Sequence, residues 1–406
     1  MKKISLIVLC FFALPIIAQE SNTINTNNAS FEMGNGLNFN FEDNNYQFAI
    51  SGFVQPSYVY SEVDEMDSEN EFNAKRTYFS ISGKALKEKV SFFIQNNFSL
   101  NDALLDAWVA YHPTENIKFT VGQTRTFVNN RELTFDEDKF QFTERSSLSK
   151  TFSNTGREFG LFLEGKFKLG SIGLEPQAAL TSGDGRNSFG ADSRDVDQGG
   201  LKYGGRLDVY PLGFFTKGND IHVADLLHEE TFKFVLGAAA SYNDGASNAV
   251  GEGHGNFVIY EENGESQLPD YRQIYADILM KYKGFSLLTE YVNASATGLE
   301  QTFVNQAATV ELQPQQISSF LVLGDALNSQ IGYVTKKGYA IDFRYSNLTP
   351  EFDNFNDSIL QETDIYSLGL TKYIKGNDAK IQTTFSSIEQ NEINTFRAEL
   401  MFQVVF

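Results

Sequence analysis

The 406-residue sequence has one cysteine, one tryptophan, eight prolines and four histidines. Cys10 lies in the opening stretch MKKISLIVLCFFALPIIAQE, which reads as a secretory leader over residues 1–18. Lys2 and Lys3 form its basic start, Ile4 to Ile17 its apolar run, and Ala18 the residue before cleavage. Leu9 is too bulky for a lipoprotein cleavage site before Cys10. The chain beyond the leader therefore has no disulfides and no thiol chemistry. No later apolar run approaches the roughly 20 residues that a spanning helix needs. Basic residues are scarce: 32 against 52 acidic ones, a formal charge of −20, or −22 once Lys2 and Lys3 are lost. Such acidity excludes nucleic acid as a partner. His112, His222, His228 and His254 are scattered. HVADLLH places His222 and His228 with Asp225, but at a spacing of nearly two helical turns, and no segment has the spacing of a calcium loop. GEGHGN (251–256) and SGDGR (182–186) lack the Lys-Ser/Thr of a phosphate loop and precede no helix pattern. No metal and no cofactor are expected.

Aromatics are abundant, with 37 Phe and 18 Tyr. That content excludes disorder for most of the chain. Residues 19–45, rich in Asn, Ser, Thr and Gly over 20–38, read as a flexible leader. From Tyr46 onward the hydrophobic period is two. In YAIDFRYS, Tyr339, Ile341, Phe343 and Tyr345 oppose Ala340, Asp342, Arg344 and Ser346. In REFGLFLEGKF, Phe159, Leu161, Leu163 and Phe167 oppose Glu158, Gly160, Glu164 and Lys166. The closing RAELMFQVVF sets Phe396, Ala398, Leu400, Phe402, Val404 and Phe406 against Arg397, Glu399 and Gln403.

About 16 strands are predicted, at 46–61, 72–83, 89–100, 102–112, 116–126, 155–167, 171–182, 200–211, 231–243, 271–283, 285–296, 327–336, 338–348, 362–374, 379–388 and 393–406. Their lengths exceed those of ordinary globular strands and suit tilted membrane strands. The connections alternate. Short ones fall at 84–89, 112–116, 168–172, 281–285, 335–339 and 375–379; long ones at 62–71, 127–154, 184–199, 244–270, 297–326 and 349–361. The exceptions are a long connection at 212–230 and short ones near 101 and 390. Short turns on one side and long loops on the other describe an outer-membrane barrel, whereas a soluble sandwich has no reason to segregate them. Closure also leaves no edge strand and satisfies every backbone group in lipid. The expected fold is all-β: a transmembrane antiparallel β-barrel over 46–406 with an infolded constriction loop, in the outer membrane of a Gram-negative bacterium and in contact with its lipid and lipopolysaccharide.

Several stretches resemble the phosphate-selective porin O and P family. They are GLNFNFEDNNYQFAISGFVQPSYVY (36–60), KRTYFSISG (75–83) with Lys75 and Arg76 at paired basic positions, LLDAWVAYHP (104–113), IKFTVGQTRTFVNNREL (117–133), and FTERSSLSKTF with GREFGLFLEG between 142 and 165. The resemblance implies a sixteen-stranded barrel, usually a homotrimer, whose water-filled pore is narrowed by an infolded loop. It also implies passage of small anions such as phosphate along basic pore residues, and an assembly signal in the terminal aromatic.

A polar inner face is what a water-filled pore needs. By parity Arg76, Lys118, Lys166, Lys202, Arg206, Lys233, Lys281, Arg344 and Arg397 point inward, as do the acids Glu158, Glu164, Asp208, Asp277, Glu290, Asp342 and Glu399. Rings of one sign select ions of the other, but here the signs are mixed, and Asp342/Arg344, Arg206/Asp208 and Arg397/Glu399 are same-face neighbours open to local pairing. Loop 127–154 is the candidate constriction, with Arg125, Arg131, Lys139 and Arg145 as its pore-lining cations and Arg157 as an anchor at its base. Its Leu133, Phe135, Phe140 and Phe142 are unneeded on an exposed loop. Three functions fit: a passive diffusion channel for small solutes, a plugged barrel serving as scaffold or accessory subunit of a surface complex, and an outer-membrane hydrolase. The last needs a Ser–His–acid set on the lipid face, for which no histidine is suitably placed.

Overall fold

The computed structural model describes residues 28–42, 44–186, 199–252, 255–352 and 357–406. Sixteen strands form one ring. In chain order they are β1 (Tyr46–Val63), β2 (Glu69–Ala85), β3 (Val90–Asn97), β4 (Leu104–Thr114), β5 (Ile117–Arg125), β6 (Arg157–Gly165), β7 (Ile172–Thr181), β8 (Lys202–Tyr210), β9 (Lys233–Asn243), β10 (Asp270–Tyr282), β11 (Phe285–Thr297), β12 (Gly324–Val334), β13 (Tyr339–Pro350), β14 (Thr363–Lys375), β15 (Ala379–Gln390) and β16 (Ile393–Val405). Each pairs antiparallel with its sequence neighbours, and β16 closes on β1 through Ala398↔Tyr60 and Val405↔Phe53. At the seam Phe406 and Gly52 exchange backbone hydrogen bonds of 2.7 and 2.8 Å.

The alternation read from the sequence becomes an inside-out distribution of exposure. Val109, Val121, Leu161, Ile274, Ile331, Phe343 and Phe402 are exposed on the outer wall, while Gln55, Glu290, Asn328, Gln330, Ser346 and Gln382 are buried within. A period of two puts successive side chains on opposite faces, so apolar outward residues meet lipid and polar inward ones must find partners. At the long-loop end tyrosines pair with acids across strands: Tyr345 donates to Asp364 at 2.6 Å, Tyr242 to Asp270 at 2.6 Å, and Tyr291 to Asp325. A ring whose apolar body contacts lipid and whose hydroxyl reaches a polar group suits the membrane interface.

The expected flexible leader is corrected in part. Asn28–Glu32 and Gly36–Phe41 form a hairpin that pairs with β1 below the C-terminus, in the register Phe39↔Phe48. The signal in the sequence was GLNFNF, whose alternation is as regular as that of any barrel strand. The leader proposed for 1–18 lies outside the described residues, as does His254.

The two ends differ. Long-loop residues pack Val250, Phe257, Ile259, Leu312, Ile317, Leu321 and Val322 on Tyr271, Tyr275, Val292 and Ala326 of the wall. The 212–230 connection enters from the short-turn end and places Phe215 and Val223 against Tyr210, Val235, Leu279 and Leu288. Asp225 pins that connection, accepting from the backbone of Glu229 at 2.9 Å, Gly284 at 2.7 Å and the Asn219 amide at 2.7 Å. Both of these clusters sit on the β8–β13 side. A smaller one of Phe53, Tyr78, Leu105 and Val405 lies along β1–β4 and β16, so among the described residues the β1–β5 side is the half with less apolar packing, the less filled half of the interior.

Candidate functional site: the charged interior of the barrel

Residues 127–154 have short helical turns at Arg131–Thr134, Glu137–Lys139 and Ser147–Phe152. They make their contacts with inward-facing side chains from opposite sides of the ring. The Glu132 backbone N–H donates to Glu290 at 2.7 Å, Gln141 donates to Asp342 at 2.8 Å, Thr143 Oγ1 donates to Glu399 at 3.0 Å, and Gln55 donates to the Glu137 carbonyl at 3.2 Å. Leu133, Phe135, Phe140 and Phe142 are buried. Glycine makes this fit possible. A Cβ on Gly237 would sit 2.2–2.6 Å from Arg206, Asp277 and Arg131, and one on Gly332 would lie 2.6 Å from the Gln141 amide.

The expected cations fall into two groups. Arg131 binds Asp277 at 2.5 Å and Asp208 at 2.7 Å, while Arg206 binds the same two acids at 2.6 and 2.9 Å. Arg344 binds Glu132 at 2.8 Å and lies 4.0 Å from the Phe142 ring centre. Lys281 donates to the carbonyls of Asn219, His222 and Ala224. All four are buried, and their expected role as cations fronting an open pore is corrected: they fasten loop and 212–230 connection to the wall. A buried guanidinium is tolerated only when paired and hydrogen-bonded, and packing against the loop removes it from water.

The second group borders the less filled half. Arg76 binds Glu144 at 3.2 Å, with Lys75 on the same acid at 2.5 Å. Arg125 binds Glu137 at 2.7 Å and Asp136 at 3.2 Å; Arg145 binds Glu137 at 2.9 Å. Lys139 pairs with Asp138 at 2.6 Å. Lys118 and Lys166, nearer the short-turn end, pair with Glu164 and Glu175, both at 2.8 Å. Arg157 joins Asp106 at 3.1 Å and Glu137 at 3.0 Å. Glu137 thus receives three arginines. Burial alone would raise its pKa, but Arg125, Arg157 and Arg145 outweigh that and hold it well below the usual carboxylate range. Glu144 is likewise held down: burial opposes the charge, and Arg76 and Lys75 prevail.

Sequence reasoning missed Lys380, which donates to the Phe140 carbonyl at 2.8 Å, and the amides Gln382 and Gln403 that bond the loop backbone. Their parity marked all three as inward; nothing in the local sequence marked them as loop contacts. No group of three or more potential metal ligands occurs among the described residues.

A closed ring of sixteen antiparallel strands, apolar outside and charged within, is the architecture of an outer-membrane porin. Residues 48–223 match the family model described as phosphate-selective porin O and P. Among solved structures it is similar to an anion-selective porin from Comamonas acidovorans (TM-score 0.53, 9% identity, covering 89% of this chain and 100% of that one). It is also similar to the outer membrane channel DcaP of Acinetobacter baumannii (TM-score 0.50, 11% identity, covering 90% and 99%). At such identities the likeness is one of fold. No curated protein matches the chain. The protein is a porin of the Gram-negative outer membrane.

Proposed function

We propose that this porin passes small hydrophilic solutes by diffusion along the β1–β5 side of the interior, narrowed by residues 127–154, with a weak preference for anions such as phosphate. The observation that carries the reading is the distribution of charge. Lys75, Arg76, Arg125 and Arg145 border the less filled half with side chains 8–11% exposed, against 1–6% for Arg206, Arg344 and Arg131. Asp136 and Glu144 stand among them with side chains 63% and 29% exposed. Mixed rings select weakly. The assembly proposed is a homotrimer, as the family resemblance implies.

Reversal potential in a salt gradient tests ion sign: a modest shift towards anions is expected, and a shift towards cations refutes it. Deleting part of 127–154 should raise single-channel conductance; an unchanged conductance removes the constriction. A second reading, a plugged barrel serving a surface complex, is favoured by the two apolar clusters that fill the β8–β13 side. Purified protein that never conducts would establish it over the first.

A further inference from the structure

The only tryptophan of the chain faces the interior. Its neighbours Val109 and Tyr111 are exposed on the outer wall, and Ala110, which shares its face, is buried. In a barrel, tryptophan ordinarily belongs to the lipid interface, so an inward Trp108 asks for another partner. Phe93 lies beside it, with ring centres 5.8 Å apart. Lys118 Nζ stands 5.1 Å from the indole centre. Both aromatics line a cavity of about 920 Å³ at the short-turn end of the β1–β5 wall, whose rim reaches Asn38 and Asn40 of the N-terminal hairpin. That volume suits a small organic ligand.

We propose that this vestibule binds small aromatic carboxylates. The cavity is cationic in a strongly acidic chain: Lys84, Lys87, Lys89 and Lys118 line it against Glu88 and Glu115, with Glu164 adjoining Lys118. Lys118–Glu164 is a half-exposed pair of 2.8 Å and Lys84–Glu88 an exposed pair of 3.1 Å. Exposed pairs contribute little, so a ligand carboxylate exchanges for either glutamate at small cost. Lys87 and Lys89 have no ion pair among the described residues. With the Lys118 ammonium over the indole and Phe93 beside it, the site matches an aromatic ring lying against Phe93 and the indole, its carboxylate on Lys118 or on Lys84 at the rim. Inorganic phosphate engages the lysines alone, and a neutral sugar only the ring faces and the amide rim. The proposal deepens the porin reading and rests on it for solute access.

A single tryptophan makes the site its own reporter. Titrating detergent-solubilised protein with 4-nitrobenzoate should quench its fluorescence saturably. Lys118→Gln should weaken binding about tenfold, as expected for loss of one charge-assisted hydrogen bond, and Lys84→Gln should weaken it less. Lys84 is exposed and Lys118 half-exposed, so neither change threatens the fold. Acetate and inorganic phosphate should compete poorly. The proposal is overturned by linear, unsaturable quenching like that of free tryptophan, by unchanged binding in both variants, or by phosphate or glucose displacing the probe as well as benzoate does. Binding is read without current. Saturation in a non-conducting protein refutes the porin reading alone, and linear quenching in a conducting one refutes the site alone.

Discussion

Glu137→Gln is the sharpest perturbation of the loop. The carboxylate is buried and takes Arg125 at 2.7 Å, Arg145 at 2.9 Å and Arg157 at 3.0 Å. Removing its charge leaves three guanidinium groups unequally provided for. Arg157 keeps Asp106 and Arg125 keeps Asp136, but Arg145 is left with backbone carbonyls. Breaking one buried ion pair by removing a partner costs about 3–5 kcal/mol. Because Gln retains a carbonyl acceptor, the lower end applies, about 3 kcal/mol, which is roughly two powers of ten in the docked-to-released ratio of the loop. The ring of strands has its own backbone pairing, so the loss falls on residues 127–154 rather than on the barrel. Limited trypsin digestion read by mass spectrometry should show new cleavage after Arg131 and Arg145, and single-channel recordings should become noisier with a higher mean conductance. Cleavage and conductance indistinguishable from the parent would refute the idea that Glu137 holds the loop. The pH dependence has a definite sign. A carboxylate held below its ordinary value of 4.5 contributes stability above that value, and the contribution is lost only as pH falls through the depressed folded pKa. The parent loop should therefore resist trypsin-like proteases equally from about pH 5 upward, and acid-stable proteases should find it released only well below.

Other expectations follow from the same contacts. Gly237→Val places a side chain where Arg206, Asp277 and Arg131 now stand; the loop should loosen as in Glu137→Gln, and an unaltered digestion pattern would show that the cluster can shift. Asp225→Ala removes the acceptor of three backbone and side-chain donors at the foot of the 212–230 connection. Opening there should raise conductance while the heat-modifiable gel mobility of the barrel stays intact. Deleting Phe406 abolishes both backbone bonds to Gly52 at the seam; the yield of folded, heat-modifiable protein should fall. Ile278→Arg puts a charge on the lipid face opposite Leu236 and should cost about 2–4 kcal/mol in a lipid-refolding titration if it lies near the midplane.

The strand plan was written in local sequence. YAIDFRYS and RAELMFQVVF declare their faces by a period of two, and lipid on one side makes that period strict, since a shift of one residue would turn every polar side chain into hydrocarbon. Loop lengths settled which end was which. The hairpin at 28–41 was equally legible in GLNFNF but was obscured by the Asn- and Ser-rich residues around it. Parity also placed Arg131's eventual partners, Asp208 and Asp277, on the inner face, yet it could not bring them to Arg131. Those acids lie 77 and 146 positions along the chain from it, and only closure of the ring and folding of the loop bring them together. The same holds for Glu132 with Arg344, and for the carbonyls that absorb Lys281. By itself the sequence determined a barrel with charge inside. Tertiary structure decided which of those charges still meet water, because burial and pairing of an ion depend on what packs over it.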